Sequence, residues 1–147
     1  MTWLRRIFWT GTILYWILIC VLTHMPAQDV HIPKMLTDKQ CHFLAYMGLS
    51  LALGVTLLST LAGRRWVPFY VIAVAMAYGA IDEKTQIAFG RDCELGDWYA
   101  DVAGACAAAV VLFVIQFFIR TRTISLGRQL IAGFEGAVPP TAAGDPG

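Results

Sequence analysis

The sequence predicts an all-α polytopic membrane protein, an antiparallel bundle of four transmembrane helices with both termini in the cytoplasm. Three observations carry this expectation. Of the 147 residues, 58% are hydrophobic and only 14% are charged, too apolar a balance for an ordinary water-soluble domain. The charges gather in two short polar stretches, Asp29–Lys39 and Asp82–Asp101, with long apolar runs between them. The basic residues, finally, sort to one side of the bilayer once four spans are drawn. The length suits one small domain, a transmembrane domain over 1–120 followed by a cytoplasmic tail over 121–147 that is expected to be largely disordered. A net charge of +1, with no basic block and no nucleic-acid motif, gives no reason to expect a nucleic-acid partner.

The first apolar run extends from Ile7 to Thr23 behind Arg5 and Arg6. A positive start and an apolar run also open signal peptides. This run is long for that purpose, carries Phe8, Trp9, Tyr15 and Trp16, and lacks a small-residue cleavage site, so it reads as the first span. His24 to Lys39 is polar, holds Pro26 and Pro33, and reads as a loop in which His24 and His31 are ordinary loop histidines. The second run, Cys41 to Ala62, has about 22 residues, enough for a hydrocarbon core of ~30 Å at ~1.5 Å per residue.

Gly63-Arg64-Arg65 makes a turn so short that the second and third helices must be antiparallel neighbours. The third run, Val67 to Ile81, holds about 15 apolar residues, short for a full span; the helix is expected to continue through Asp82, Glu83 and Gln86 to Phe89. Gly90 to Gly96 is a loop. The last run goes from Trp98 to Ile119, with Asp97 as its cap. Ala100, Ala103, Gly104, Ala107 and Ala108 on this helix, and Ala73, Ala77 and Ala80 on the third, are expected to let neighbours approach closely.

With four spans, Arg5, Arg6, Arg64, Arg65, Arg120, Arg122 and Arg128 share one side, which the positive-inside bias makes cytoplasmic. The polar groups of the second, third and fourth helices then meet at the outer face. They are Asp38, Lys39 and His42, with Tyr46 on the same helix face as Lys39 and His42; Asp82, Glu83 and Gln86; Arg91; and Asp97 and Asp101. Tyr46 and Tyr78 read as packing or interface aromatics. Charges at membrane depth are costly and tend to be kept for function.

Three readings stay open for this cluster. The charges can form an ion-pair network that locks the helix ends. They can bind a polar head group, such as that of a lipid-linked envelope precursor or another amphiphile, with Arg91 gripping a carboxylate or phosphate. Or His42 with Asp82, Glu83, Asp97 or Asp101 can hold a divalent metal that supports hydrolysis or transfer. No HExxH or similarly tight ligand spacing accompanies the third reading.

The four cysteines form no CxxC pair, which argues against a thiol oxidoreductase. Cys20 and Cys106 read as small hydrophobes, while Cys41 and Cys93 could pair on an oxidising side. The first span carries no acid, which argues against proton-coupled export.

The arrangement Asp38-Lys39-x-x-His42-Phe43-x-x-Tyr46, then Tyr78-Gly79-x-x-Asp82-Glu83-x-x-Gln86, Gly90-Arg91, and Asp97-x-x-Ala100-Asp101-x-x-Gly104 resembles the VanZ-like family, over roughly Pro26 to Ala109. The resemblance implies a small, multi-helix integral protein of bacterial envelopes. Its founding member is associated with resistance to a glycopeptide antibiotic. Carried over position by position, the family motif covers Asp38, Lys39, His42, Tyr46, Asp82, Glu83, Gln86, Arg91, Asp97 and Gly104. Two departures stand out: Asp101 where many members carry Asn, and Ala88 followed by Phe89 where an aromatic often stands two residues after the Gln. A shared fold need not imply a shared function.

Overall fold

The computed structural model describes residues 2–25, 36–61, 65–90 and 93–137, and over these it is all-helical. Helix α1 covers Trp3–Thr23, α2 Asp38–Thr60, α3 Val67–Gln86 and α4 Leu95–Ala137, with one 3₁₀ turn at Ile87–Phe89. Local chemistry sets several of these ends. Thr37 and Gln40 make a reciprocal capping box at the start of α2: the Gln40 backbone N–H donates to Thr37 Oγ1 at 3.3 Å, and the Thr37 N–H to Gln40 Oε1 at 2.9 Å. Pro68 sits in the first turn of α3, where a missing N–H costs nothing. The chain after α3 tightens into the 3₁₀ turn and stops at Gly90, whose φ of 74° is strained for any other residue.

Three helices are long and apolar enough to cross a membrane: α1, α2 and the 95–129 part of α4, with mean hydropathies of 1.6, 1.7 and 2.5. Helix α3 is not among them, because Asp82, Glu83 and Lys84 interrupt its apolar run. The outer surface is as apolar as expected for lipid contact. Leu14 is 61% exposed, Val110 63% and Phe117 64%, while Thr12, Ser50, Thr56 and five carboxylate- or imidazole-bearing residues lie inside. A water-soluble fold would reverse that distribution.

Successive helices along the chain alternate in direction. Thr12 near the start of α1 bonds Thr56 near the end of α2 at 2.8 Å, and Thr56 Oγ1 also donates to the Phe8 carbonyl at 3.2 Å. Trp98 at the start of α4 donates its indole N–H to the Met76 carbonyl of α3 at 3.1 Å, and Phe113 further along α4 meets Phe69 near the start of α3. Helices α2 and α4 run side by side in the same direction and touch over the greatest length. Gly104 permits this: a Cβ there would overlap the Phe43 carbonyl oxygen and lie 3.0 Å from Met47 N. Two core clusters fill the rest. One gathers Ile19, Tyr46, Leu49, Ala75 and Ala105, and the other Leu53, Val67, Val71 and Leu112.

Four expectations need adjusting. On α3 the buried residues are Val67, Pro68, Val71, Ala75, Gly79, Asp82, Glu83 and Gln86, whereas Ala73, Ala77 and Ala80 are exposed. The packed face is the one that carries the carboxylates inward, so the alanines are turned away from it. Helix α4 starts at Leu95, which puts Asp97 in its first turn rather than at the cap, and its carboxylate is taken by Lys39. The same helix does not end at Ile119. Residues 120–137 continue it, because Arg, Leu, Gln and Ala favour helix and no proline intervenes before Pro139; residues 138–147 of the expected disordered tail lie outside the described residues. Cys41 and Cys93 are free thiols, since α2 turns His42 rather than Cys41 toward α4.

Candidate functional site

The C-terminal ends of α1 and α3 and the N-terminal ends of α2 and α4 lie at the same end of the molecule. Contacts there join all four: Thr23 to Asp82, Lys39 to Asp97, His42 to Asp101, and Glu83 to the backbone of Glu94. The arrangement has a core and two flanks.

The core is formed by His42, Glu83 and Asp101, one residue from each of α2, α3 and α4. They are 5%, 3% and 0% exposed. His42 Nδ1 and Asp101 Oδ1 share a hydrogen bond of 3.0 Å. Glu83 Oε2 accepts the Glu94 backbone N–H at 3.1 Å. The second oxygen of each acid, Asp101 Oδ2 and Glu83 Oε1, is buried with no hydrogen-bond partner among the described residues. One ligand atom from each of the three residues lies within 4.8 Å of the others. Asp38, His42 and Asp97 make a second group of the same span, sharing the histidine. Both groups have the donor types that divalent metals use.

The first flank joins α1 to α3. Asp82 Oδ1 accepts from Thr23 Oγ1 at 3.0 Å, and Asp82 Oδ2 from Gln86 Nε2 at 3.0 Å, one helical turn on. His24 sits 3.7 Å from Asp82, bonds Thr85 Oγ1 at 2.8 Å and stands edge-on to Phe89. His24 is therefore not an ordinary loop histidine: it follows directly on α1 and belongs to the cluster. The second flank joins α2 to α4. Lys39 Nζ contacts Glu94 Oε2 at 2.8 Å and Asp97 Oδ1 at 2.9 Å. Lys39 and Glu94 are both largely exposed, so this bridge is screened and contributes little to stability.

Beneath the core, toward the middle of the bundle, Tyr46 stacks on Tyr78 with ring centroids 5.8 Å apart, and Trp16 meets Tyr78 edge-on at 5.0 Å. Both tyrosine hydroxyls are buried without a hydrogen-bond partner among the described residues. Tyr78 also lines an apolar groove of about 290 Å³ between α1 and α3, with Ile13, Trp16, Ile17 and Cys20. Cys20 lies one turn before Thr23 and Tyr78 one turn before Asp82, so this part of the groove lining is one helical turn from the Thr23–Asp82 bond.

Of the candidate residues named from the sequence, Asp38, Lys39, His42, Tyr46, Asp82, Glu83, Gln86, Asp97 and Asp101 thus lie around this one end. Arg91 lies outside the described residues. Spacing alone missed Thr23, His24 and Glu94. For Thr23 and His24 the available signal was a pair of polar residues at the end of an apolar run. For Glu94 it was an acid just before a helix start.

No family model matches the chain, and no curated protein or solved structure does either.

Proposed function

We propose that this chain is a four-span membrane protein of the VanZ-like kind, with cytoplasmic termini, that binds the head group of an envelope amphiphile at the polar end of its bundle. A lipid-linked envelope precursor is the leading class of ligand. One observation supports the reading: an apolar groove lined by Cys20 of α1 and Tyr78 of α3 lies one helical turn from the Thr23–Asp82 bond of the charged cluster. A hydrocarbon tail suits the groove and a polar head suits the cluster, which is the division of labour expected of a ligand site lined mainly by apolar groups with a few placed polar ones. From the sequence, Arg91 is the candidate cation for an anionic group.

The fourth span in this reading is α3. Its 20 residues reach about 30 Å, the thickness of a hydrocarbon core. Asp82, Glu83 and Gln86 are buried against neighbouring helices rather than turned toward lipid, which is how intramembrane charges are accommodated.

The test is mass spectrometry of amphiphiles that co-purify with the wild-type chain and with Asp82→Asn and Arg91→Ala. The expected result is a species retained by wild type and reduced about tenfold or more in the variants, equivalent to about 1.4 kcal/mol of binding. Equal lipid content in all three, with helical content intact, overturns the reading. A structural role is favoured for one part of the cluster, because Lys39 already spans two acids. If that role extends to the whole cluster, the same substitutions lower thermal stability without changing the bound lipid.

A further inference from the structure

We propose that His42, Glu83 and Asp101 together hold one divalent transition-metal ion, Mn²⁺ or Zn²⁺, that ties α2, α3 and α4 at the polar end of the bundle. The inference goes beyond head-group binding and stands without it.

Four features of the geometry lead there. The three residues come from three different helices, and each is at least 95% buried. Their ligand atoms already lie within 4.8 Å of one another. Asp101 Oδ2 and Glu83 Oε1 have no hydrogen-bond partner among the described residues, although a buried carboxylate oxygen normally finds a donor or a cation. The nearby lysine does not serve them, since Lys39 contacts Glu94 and Asp97 instead. One ion between the three residues would pair both orphan oxygens at once.

The donor set selects the ion. One imidazole and two carboxylates are softer than the all-oxygen shells of Ca²⁺ and Mg²⁺ and lack the thiolates of structural zinc sites, which favours first-row divalent ions, of which Mn²⁺ and Zn²⁺ are taken as the test ions. The alternative set of Asp38, His42 and Asp97 is less suited, because Asp97 Oδ1 is bonded to Lys39 at 2.9 Å. Outer contacts hold the chosen ligands in place. The Glu94 backbone N–H fixes Glu83 Oε2, and Gly79 leaves the space beside Asp101 Oδ2, where a Cβ would stand only 3.0 Å away. Supporting contacts of this kind orient metal ligands and tune affinity.

The experiment uses the full chain, purified without an affinity tag in detergent, stripped with chelator and titrated with Mn²⁺. Binding is followed by calorimetry and by the electron paramagnetic resonance signal of the ion. Mn²⁺ comes first because the four free thiols compete for Zn²⁺, which is titrated second with those cysteines replaced by serine. The expected result is one ion per chain. Glu83→Gln and Asp101→Asn, near-isosteric changes, are each expected to weaken binding by about 100-fold or more, and Gly79→Ala by about 10-fold. Asp38→Asn is expected to bind like wild type.

Circular dichroism and gel filtration establish folding, and if one carboxylate variant fails them the other still decides. Failure of wild type to bind either ion below millimolar concentration overturns the proposal. So does undiminished binding by the folded carboxylate variants, or a loss confined to Asp38→Asn. Co-purified lipid is measured on the same samples before stripping. Absent metal binding with lipid retained therefore refutes this inference alone.

Discussion

At the scale of single residues, the chain uses small side chains for close approach and polar ones for bonds between helices, and the two tasks meet along α4. Gly104 shows the first. It faces the backbone of α2 at Phe43 and Met47 so closely that any Cβ would displace a carbonyl group rather than a flexible side chain. Gly104→Ala is accordingly expected to destabilise the bundle by about 1–3 kcal/mol, the usual cost of overpacking, read as a lower unfolding midpoint in detergent. A midpoint equal to wild type would mean that α2 and α4 do not approach as described. Asp101 shows the second task, one turn earlier on the same helix. Its spacing from Asp97 was plain in the sequence, but its partner was not. His42 lies 59 positions away, and only the phase of two packed helices decides that these side chains meet.

At the scale of elements, helix existence follows from apolar runs and capping chemistry, whereas helix ends and faces follow from packing. The capping box of Thr37 and Gln40 and the Pro68 start are local signals. The face that α3 buries is not. Both the alanines at 73, 77 and 80 and the set at 71, 75, 79, 82, 83 and 86 have helical spacing, and burial chose the set that brings carboxylates against α1, α2 and α4. Helix α4 adds a different lesson. Among its described side chains the last buried one, with relative exposure near zero, is Leu112, and from Phe117 to Leu126 every residue is exposed. Those residues make little contact with the rest of the chain. Ile124→Ala and Leu126→Ala are therefore each expected to keep the unfolding midpoint of the wild-type chain within about 2 °C, since exposed sites away from specific contacts change stability by about 0.5 kcal/mol at most. A larger fall would show that the end of α4 packs on something in the folded state.

At the scale of the whole molecule, the exposed apolar surface and the polar interior together specify lipid as the solvent. In the proposed topology α3 crosses the bilayer and the arginines at 5, 6, 120, 122 and 128 share the cytoplasmic side. With four spans, a fluorescent protein fused at the C-terminus should fluoresce in a bacterial host and a phosphatase fused there should be inactive. The reverse pattern would mean that α3 does not cross, which would put the two ends on opposite sides. The carboxylates at the end of α3 would then lie at a different depth, and the head-group reading would lose its geometry.

The sequence by itself determined that this protein is helical and apolar, where three of its spans run, and which residues are chemically able to act. These properties are set by hydropathy and by the i to i−4 backbone ladder, both local along the chain. It also drew attention to Asp82, Glu83, Gln86, Asp97 and Asp101 as charges in an apolar setting. Only the tertiary structure decided that Lys39 is committed to Glu94 and Asp97, that His24 and Thr23 close the cluster from α1, and that Glu83 and Asp101 each keep a buried oxygen without a partner among the described residues. Those outcomes depend on the rotation and depth of helices far apart in sequence. Side-chain packing between helices sets that rotation and depth, and the spacing along any one helix does not encode them.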